Sequence, residues 1–403
     1  MSLLSAQAVR ERAQWMLAIG LDDKLPHFRV DLARLPEAVD LVLAITRKNY
    51  PALAVPFHSR WRHFVFGGED RWALTDQKAG WRDSAERARA TFDLAIVSVL
   101  LDAGAGPQWR YRDTASGHNI GRSEGLALAS LAMFAAGAFS SDHASPLQAN
   151  AEGLTNLSTK VLADGFQVSE TNPLVGVEGR ADLLRRLGAL IAGKPEIFGR
   201  SSAPRPGGLF DHFAALVVAG DISARVILSE LLRHLGPIWP SRLTLGGVPL
   251  GDCWRHPSLT SADATNGLVP LHKLSQWLAY SLIEPLQWAG ISVSDIDGLT
   301  GLSEYRNGGL FLDTGVLQLR DPGDATRRHD VASTLVIEWR ALTVALLDRL
   351  ADEMRRRLAM DAKTLPLAKV LEGGTWAAGR VIARQLRSDG SPPLKVVSDG
   401  TVF

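Results

Sequence analysis

The densest group of chemically capable side chains lies between Glu304 and Gly315. This short stretch combines a carboxylate, a phenol, a guanidinium, a glycine pair and a second carboxylate, from Glu304, Tyr305, Arg306, Gly308, Gly309 and Asp313. Glycine lets a backbone approach a ligand, and polar groups beside such glycines are typical of binding and catalytic sites. We interpret Glu304 and Asp313 as candidate catalytic carboxylates. Two structural alternatives stay open: an ion pair of Glu304 with Arg306 or Lys273, and capping of a turn by Asp313.

The stretch just before it, 268–289, has the apolar spacing of a helix of about six turns. His272 and Lys273 lie one turn before Gln276 and Trp277, so they share neighbouring helix faces. A lysine at the start of so apolar a helix has two interpretations. Its stem packs along the surface with the ammonium in water, or the ammonium is buried against a ligand phosphate or a carboxylate. We take His272, Lys273 and Gln276 as candidate substrate-binding residues.

Polar and aromatic residues also follow the most apolar helix of the chain. Residues 84–104 read as a core helix that Asp83 or Ser84 can cap. The segment after it carries Trp109 and Arg112, which the helix would deliver to one rim of the core, and this placement favours a pocket. An earlier run, FHSRWRHFVFGG at 57–68, fits either a solvated loop or the wall of an anion-binding site.

Segment 239–257 is the clearest non-helical stretch, and its glycines predict a small hairpin. It places Asp252, Trp254 and Arg255 just before the 268–289 helix, which makes them further binding candidates. Neighbouring cysteine and histidine residues do not have a recognised ligand spacing, so the sequence predicts no metal site.

The C-terminal part contains LEGGTWAAGR, 371–380, in which Glu372 and Trp376 fit ligand contact and core packing equally well. Trp376 completes the candidate binding residues. Residues 381–403 read as strand or coil on the surface.

Composition limits the class of protein. Lys plus Arg number 44 and Asp plus Glu 43 in 403 residues, without the basic excess of a nucleic-acid binder. The single cysteine excludes an internal disulfide. No apolar run has membrane-spanning length, and the charged N-terminal helix does not resemble a signal peptide. We therefore expect a cytoplasmic protein with a small-molecule substrate and no membrane or nucleic-acid partner.

Helical spacing dominates the pattern of the whole chain. Helices are predicted at 5–20, 31–50, 84–104, 178–192, 222–235 and, as the longest, 331–358. The prediction is a mainly α fold with small β-hairpins, built as one large helical domain over 1–403; two lobes meeting at the pocket are the alternative. Familiar nucleotide-binding, nucleophile-elbow and zinc-protease motifs are absent. The remaining carboxylates, arginines, tryptophans and lysine suit a small anionic substrate and no cofactor.

Several long strings of the sequence resemble the uracil-catabolism protein 4 family. They are HFRVDLARL (27–35), LLDAGAGPQWRYRD (100–113), RSEGLALASL (122–131), LTLGGVPLGDCWRH (243–256), LVPLHKLSQWLAYSLIEPL (268–286), LTGLSEYRNGGLFLDTGVL (299–317) and LAKVLEGGTWAAGR (367–380). This resemblance covers almost the whole chain. It implies a role in the route that opens the pyrimidine ring and ends in urea, acting on ribosylurea or its phosphate.

A more distant resemblance concerns the reaction. LHKLSQWL followed by LTGLSEYRNGG is similar to the paired motifs of queuosine-salvage N-glycosylases, which share the architecture of helix-hairpin-helix glycosylases. By position, the resemblance assigns the motif roles to Lys273, Gln276, Glu304, Tyr305 and Arg306. The sequence departs from the motif in having Glu where the family has Asp, and Asn-Gly-Gly where it has Val-Pro-Gln.

Both resemblances imply cleavage of a ribose C1–N bond with release of urea. A carboxylate near C1 would stabilise the cationic transition state, which is the role we expect of Glu304. Asp313 or Asp252 would assist the departing urea. Lys273, Arg306, Arg112 and Arg255 are available for a phosphate. Two alternatives stay open: an amidohydrolase of the same route, and a non-catalytic binding protein.

Overall fold

The computed structural model describes residues 3–199, 203–239 and 243–397, and its regular structure is mainly helical. The α-helices of these residues are α1 (Ala6–Leu21), α2 (Leu35–Asn49), α3 (Arg71–Lys78), α4 (Ser84–Leu100), α5 (Arg122–Ala135), α6 (Ala151–Thr155), α7 (Thr159–Gly165), α8 (Val177–Ala192), α9 (Pro195–Phe198), α10 (Gly208–Ala214), α11 (Ala224–Leu235), α12 (Lys273–Trp288), α13 (Tyr305–Asp313), α14 (Thr334–Leu358), α15 (Leu367–Val370) and α16 (Trp376–Leu386). A π-helical turn, Leu371–Thr375, joins α15 to α16. The predicted mainly α fold is confirmed.

The strands are short and pair two at a time. They are β1 (Phe28–Val30), β2 (Val65–Phe66), β3 (Glu69–Asp70), β4 (Tyr111–Arg112), β5 (Asn119–Ile120), β6 (Asp221–Ser223), β7 (Thr244–Leu245), β8 (Val248–Pro249), β9 (Cys253–Arg255), β10 (Leu268–Pro270), β11 (Ser292–Ser294), β12 (Leu317–Leu319), β13 (Arg328–Asp330) and β14 (Lys395–Val397). The hairpin predicted within 239–257 is the pair β7–β8, and residues 240–242 lie outside the described residues. Pairs β1–β12, β9–β10, β6–β11 and β13–β14 join distant parts of the chain, the last two in parallel.

The core surrounds three long helices. Residues of α4, α12 and α14 are buried on nearly every side, as an apolar or small-residue helix in a core must be. Helix α12 packs between α4 and α11, while α13 packs against α14 and α16. None of the helices in the described residues combines the length and apolar character needed to cross a membrane.

Helix α4 begins as predicted and ends earlier. The carboxylate of Asp83 accepts the Glu86 N–H at 2.7 Å, a normal N-cap. The helix stops at Leu100, not at Gly104, and the guanidinium of Arg180 donates to the carbonyls of Leu101, Ala103 and Gly104. These contacts satisfy carbonyl groups at the helix end and hold 101–104 as a turn.

Helix α12 begins at Lys273, five residues later than predicted. Residues Leu268–Pro270 form β10 instead and pair with Cys253–Arg255. His272 then turns through a left-handed backbone conformation, with φ +46°. The periodicity was misleading because a buried strand is also continuously apolar.

Gly308 allows two helices to pack closely. The predicted glycine turn is helix α13, and a Cβ on Gly308 would lie 2.7 Å from the ring of Trp339. The close approach of helix α14 therefore explains why residue 308 is a glycine. The prediction that this glycine lets the backbone approach a ligand is wrong.

The C-terminal stretch is also more ordered than expected. Residues 381–386 belong to α16, and the chain then returns across α13 towards β14. Residues 398–403 of the predicted coil lie outside the described residues.

Candidate functional site

A cavity of about 570 Å³ lies where the first turns of α5, α12 and α13 meet. Its walls come from the turn after α4, from the 57–63 segment, and from residues 389–396. The lining residues are His58, His63, Asp102, Ala103, Gly104, Ala105, Gly106, Pro107, Arg110, Arg122, Ser123, Leu126, Lys273, Trp277, Leu302, Glu304, Tyr305, Arg306, Trp376, Asp389, Gly390, Ser391, Pro392, Leu394 and Val396. This volume lies in the usual range of small-molecule sites.

Glu304 lies at the cavity as the N-cap of α13. Its two carboxylate oxygens accept the N–H groups of Arg306 at 2.7 Å and of Asn307 at 2.6 Å. Burial raises the pKa of Glu304, and these N–H donors together with the charges of Lys273 and Arg306 oppose that rise. The cap fixes the side chain and directs the carboxylate towards the cavity. Glu304 thus has a structural role in capping as well as a position suited to chemistry.

Lys273 occupies the first position of α12 and lines the same cavity. A cation at a helix N-terminus opposes the helix dipole, so local preference does not explain it. Its ammonium has no hydrogen-bond or ion-pair partner among residues 3–199, 203–239 and 243–397. Burial lowers the pKa of Lys273, and the carboxylates of Glu304 and Asp102 oppose that fall. The lysine faces the cavity beside Glu304 without a direct ion pair.

Two arginines form a positive corner of the cavity. Arg306 is 4% exposed and donates to the Gly390 carbonyl at 3.1 Å, while its buried Nε has no hydrogen-bond partner. Its guanidinium lies 4.8 Å from the ring centre of Tyr305. Arg122, at the start of α5, makes no hydrogen bond or ion pair within the described part of the chain. Burial and the charges of Arg306 and Arg380 lower the pKa of Arg122.

The 57–68 run forms a cavity wall, which favours the second of its two interpretations. The His58 ring lines the cavity and lies against Trp277, with ring centres 6.3 Å apart. Its Nδ1 donates to a Glu372 carboxylate oxygen at 2.8 Å. His63 lies between Trp277 and Trp376, and burial followed by the charge of Arg60 lowers the pKa of His63 to about 4.

The turn after α4 contributes a second carboxylate. Asp102 accepts hydrogen bonds from Arg60 at 2.8 Å and from the Ser123 hydroxyl at 2.6 Å. Arg60 is fully buried, and its Nε also donates to Ser98 at 2.6 Å. Asp102 is therefore held by its partners at the cavity edge.

Three of the predicted binding residues, Asp252, Trp254 and Gln276, form a buried frame behind the cavity together with Arg340. Asp252 accepts two hydrogen bonds from Arg340, at 2.9 and 2.8 Å, one from the Trp254 indole at 2.6 Å and one from the Lys273 N–H at 3.0 Å. Gln276 donates to the Thr300 hydroxyl at 2.6 Å and accepts the Thr300 N–H.

We call Asp252, Trp254, Gln276 and Arg340 the frame. Arg340 also donates to the Ser303 carbonyl, directly before Glu304. The frame thus fixes the starts of α12 and α13 relative to each other, although its members do not line the cavity.

Other predicted site residues lie away from the cavity. His272 bonds through Nε2 to the Leu3 carbonyl, and Trp109 donates to the Phe166 carbonyl inside the core. The side chains of Arg112 and Arg255 are exposed outside the cavity lining. The expected delivery of Trp109 and Arg112 to the pocket is therefore wrong; the neighbouring Arg110 lines it instead.

Asp313 also lies away from the cavity. It is the last residue of α13, about 13 Å along the helix from Glu304. Both of its oxygens bind Arg387, at 2.9 and 2.6 Å. The structure does not bring Asp313 or Asp252 to the cavity as the second acid, because both are engaged in paired contacts elsewhere.

Several polar residues of the cavity could not be identified from the sequence. Arg122 occurs in a string that indicates only the start of a helix. Asp102, Ser123 and His63 do not belong to a recognised chemical motif. The only signal available for His58 and His63 was the density of cations and rings in 57–68. The remaining lining residues could not be found because they are far apart in the sequence. Residues 58, 102, 123 and 304 come together only through tertiary packing.

Potential metal donors converge elsewhere. Within the described residues, His212, Glu230 and His234 present one donor atom each within 4.8 Å of one another, between α10 and α11. None of the three lines the cavity. Cys253 is buried outside the cavity, and burial together with Asp252 raises its pKa to about 12, so its thiol stays protonated.

Fold and cavity together define a mainly helical protein with a cavity in which Lys273 and Arg122 have no hydrogen-bond or ion-pair partner among the described residues. The chain belongs to the family described as "Protein of unknown function (DUF1688)", whose model matches residues 2–403. It is 40% identical over 415 residues to Protein urg3 of Schizosaccharomyces pombe, covering 100% of this chain and 98% of the relative. It is 38% identical over 409 residues to Uracil catabolism protein 4 of Lachancea kluyveri, covering 94% and 92%. The resemblance to the uracil-catabolism protein 4 family is thus confirmed.

Proposed function

We propose that this protein acts in uracil catabolism as an N-glycoside hydrolase that releases urea from ribosylurea or its 5′-phosphate. The name of the Lachancea kluyveri relative supports the route. The similarity to queuosine-salvage glycosylases remains a prediction that supports the reaction type. The single observation that carries the proposal is the position of Glu304 and Lys273, which face one cavity without forming an ion pair.

Glu304 suits stabilisation of a ribosyl cation. Cleavage of the C1–N bond develops positive charge on the sugar, and a carboxylate already fixed by two backbone N–H donors needs no reorganisation to meet it. Each carboxylate oxygen has a further lone pair for the attacking water. The charge of Lys273 opposes the rise that burial causes in the pKa of Glu304.

The positive corner suits a 5′-phosphate. Arg122 and the guanidinium of Arg306 line the cavity and could supply donors, and charge-assisted hydrogen bonds to a phosphate are strong. We assign the phosphate to these arginines rather than to Arg112 or Arg255, which lie outside the cavity. Trp277, Trp376 and Tyr305 would exclude water from the sugar.

Product analysis tests the proposal. The purified protein is incubated with ribosylurea and with its 5′-phosphate, and urea, ammonia and ribose or ribose 5-phosphate are quantified. Equal amounts of urea and sugar product are expected, with the phosphorylated substrate preferred. Heat of binding without product would instead indicate a binding protein, and would contradict the proposal.

A second candidate function, amide hydrolysis of the ureido group, rests on one contact. The Ser123 hydroxyl donates to Asp102 at 2.6 Å and lies 3.4 Å from Nδ1 of His63, an arrangement related to nucleophile–base pairs. The 3.4 Å separation is long, and the hydroxyl hydrogen is already directed to Asp102. Release of ammonia, lost in Ser123→Ala, would favour this alternative.

A further inference from the structure

His58 is oriented as a member of a carboxylate–histidine dyad. Its Nδ1 donates to Glu372 Oε2 at 2.8 Å, and the other oxygen of Glu372 accepts the Tyr50 hydroxyl at 3.2 Å. Burial raises the pKa of Tyr50 to about 12, so the phenol remains a donor. Burial alone would raise the pKa of Glu372, but the hydrogen bond from His58 holds it below its ordinary value. The carboxylate behind His58 is thus ionised, and each of its oxygens accepts a hydrogen bond.

The turn that carries Glu372 is unusual. Leu371–Thr375 is a π-helical turn between α15 and α16. Such turns are rare and occur frequently at functional sites because they turn a side chain away from regular helical spacing. Here the turn places Glu372 behind His58 and the next residue after the turn, Trp376, in the cavity wall.

The second ring nitrogen of His58 is available to the cavity. With Nδ1 directed at Glu372, Nε2 is on the opposite side of a ring that lines the cavity, and it has no hydrogen-bond partner in the described part of the chain. The ring lies against Trp277, one helical turn after Lys273 on α12. His58 therefore lines the cavity beside Trp277, about one turn of α12 away from Lys273.

We propose that His58, held by Glu372, is the general acid that protonates the departing urea. This inference rests on the proposed function. The C1–N bond breaks, its electron pair moves to nitrogen, and that nitrogen takes the proton from His58 Nε2 to give neutral urea. Water forms the new C1–O bond and loses a proton to Glu304. Exchange with solvent returns the proton to His58 and removes it from Glu304.

The charges around His58 suit this role. Charged and titratable groups around it include Glu372, Tyr50, His63, Arg60, Arg62 and Lys273. Within the described residues, Glu372 is the only side chain that contacts the ring by a hydrogen bond, and this contact orients the ring. His63, with a pKa of about 4, is neutral near pH 7 and does not contribute a second acid there.

The test compares two leaving groups. The unaltered protein, His58→Gln and Glu372→Gln are assayed with ribosylurea and with 4-nitrophenyl ribofuranoside, both in the phosphorylation state that the unaltered protein prefers. Nitrophenolate leaves without protonation. We expect His58→Gln to lose about 10²–10⁴-fold on ribosylurea, the usual contribution of a general acid, and less than about 10-fold on the nitrophenyl compound.

Glu372→Gln gives a second readout that keeps the ring. Its loss on ribosylurea should be smaller than that of His58→Gln and should again exceed its loss on the nitrophenyl compound, because Glu372 acts through the ring that it orients. Arg255→Ala, outside the cavity, is the matched control and should leave both rates unchanged. Thermal melting of every variant reports folding.

Three outcomes overturn the inference. Equal loss by His58→Gln on both substrates would show a structural role, and full activity on both would show no role. Equal loss by Glu372→Gln on both substrates would remove the dyad. If the unaltered protein releases no urea at all, the proposed function itself fails, and this result is distinct from the other three.

Discussion

The cavity and the frame behind helix α12 differ in how their buried charges are paired. In the frame, Asp252 has four hydrogen-bond donors, and its charge is matched by Arg340. In the cavity, the ammonium of Lys273 and the guanidinium of Arg122 have no such partners among the described residues. Burying an unpaired charge costs free energy, which a scaffold avoids. The contrast indicates that the frame stabilises the fold while the cavity retains charge for a ligand.

The largest effect is expected from Glu304→Ser. Serine is a favoured N-cap, so α13 keeps its start while the carboxylate is lost. Turnover of ribosylurea should fall by about 10²–10³-fold or more, and the melting temperature should change by less than about 4 °C. Rate and thermal melting are measured on the same sample.

Two controls sharpen this comparison. Glu304→Asp keeps both charge and cap, and should retain more activity than Glu304→Ser. Glu304→Gln is a poorer probe, because its amide nitrogen would face one of the two N–H donors. A Glu304→Ser protein that is destabilised yet fully active would show that Glu304 has a structural role only.

Asp252→Asn should behave in the opposite way. It leaves the Arg340 guanidinium buried and unmatched, which should lower the free energy of unfolding by about 3–5 kcal/mol. Turnover per folded molecule should fall less than in Glu304→Ser. Urea denaturation and kinetics measure the two quantities, and a stable but inactive Asp252→Asn protein would contradict the distinction.

The same pair predicts a pH dependence of stability. Arg340, opposing the effect of burial, lowers the pKa of Asp252 from 3.8 to about 2. A carboxyl with a lowered pKa stabilises the fold above its ordinary pKa and loses that contribution as pH falls towards its folded value. The free energy of unfolding should therefore drop by about 2 kcal/mol between pH ~4 and ~2, with a smaller drop in Asp252→Asn.

Arg122→Ala tests the positive corner. Loss of this donor should raise KM for the phosphorylated substrate by about 10–100-fold, because a hydrogen bond to a charged group contributes about 1.5–3 kcal/mol. KM for unphosphorylated ribosylurea should change little. Arg112→Ala removes an exposed arginine outside the cavity and should change neither value. Equal effects of Arg122→Ala on both substrates would argue against a phosphate contact.

The smallest effect is expected from metal removal. The donor set His212, Glu230 and His234 lies outside the cavity lining. Extensive chelation, or His234→Ala, should therefore leave kcat unchanged in a steady-state assay. Activity that is lost on chelation and restored by a divalent ion would refute the prediction that catalysis needs no metal.

Much of the helical architecture could be predicted from local sequence. Caps and periodicity located α1, α4, α8, α11 and α14 to within a few residues, apart from the end of α4. Segment 268–272 was misread because a buried strand and a buried helix share an apolar pattern. The partner strand that decides between them, β9, is separated from β10 by a loop that the pattern does not reveal.

The candidate site was predictable only in part. Glu304, Tyr305, Arg306, Lys273 and Trp376 do line one cavity. Asp313 was grouped with Glu304 because the two are close in sequence, yet a helix places them at opposite ends. Pairing partners also could not be foreseen: Arg387 and Arg340 lie far along the chain from the carboxylates they bind.

Gly379 has a consequence for genetics. A Cβ at this position would lie 2.1 Å from the carbonyl oxygen of Arg306, so even alanine forces α13 and α16 apart. The displaced segment carries Arg306 and, two residues before it, the cap residue Glu304. In a deep mutational scan selected for growth, position 379 should therefore score as intolerant as the cavity residues. Without a structure, the scan would suggest a catalytic role for a position that has no side chain.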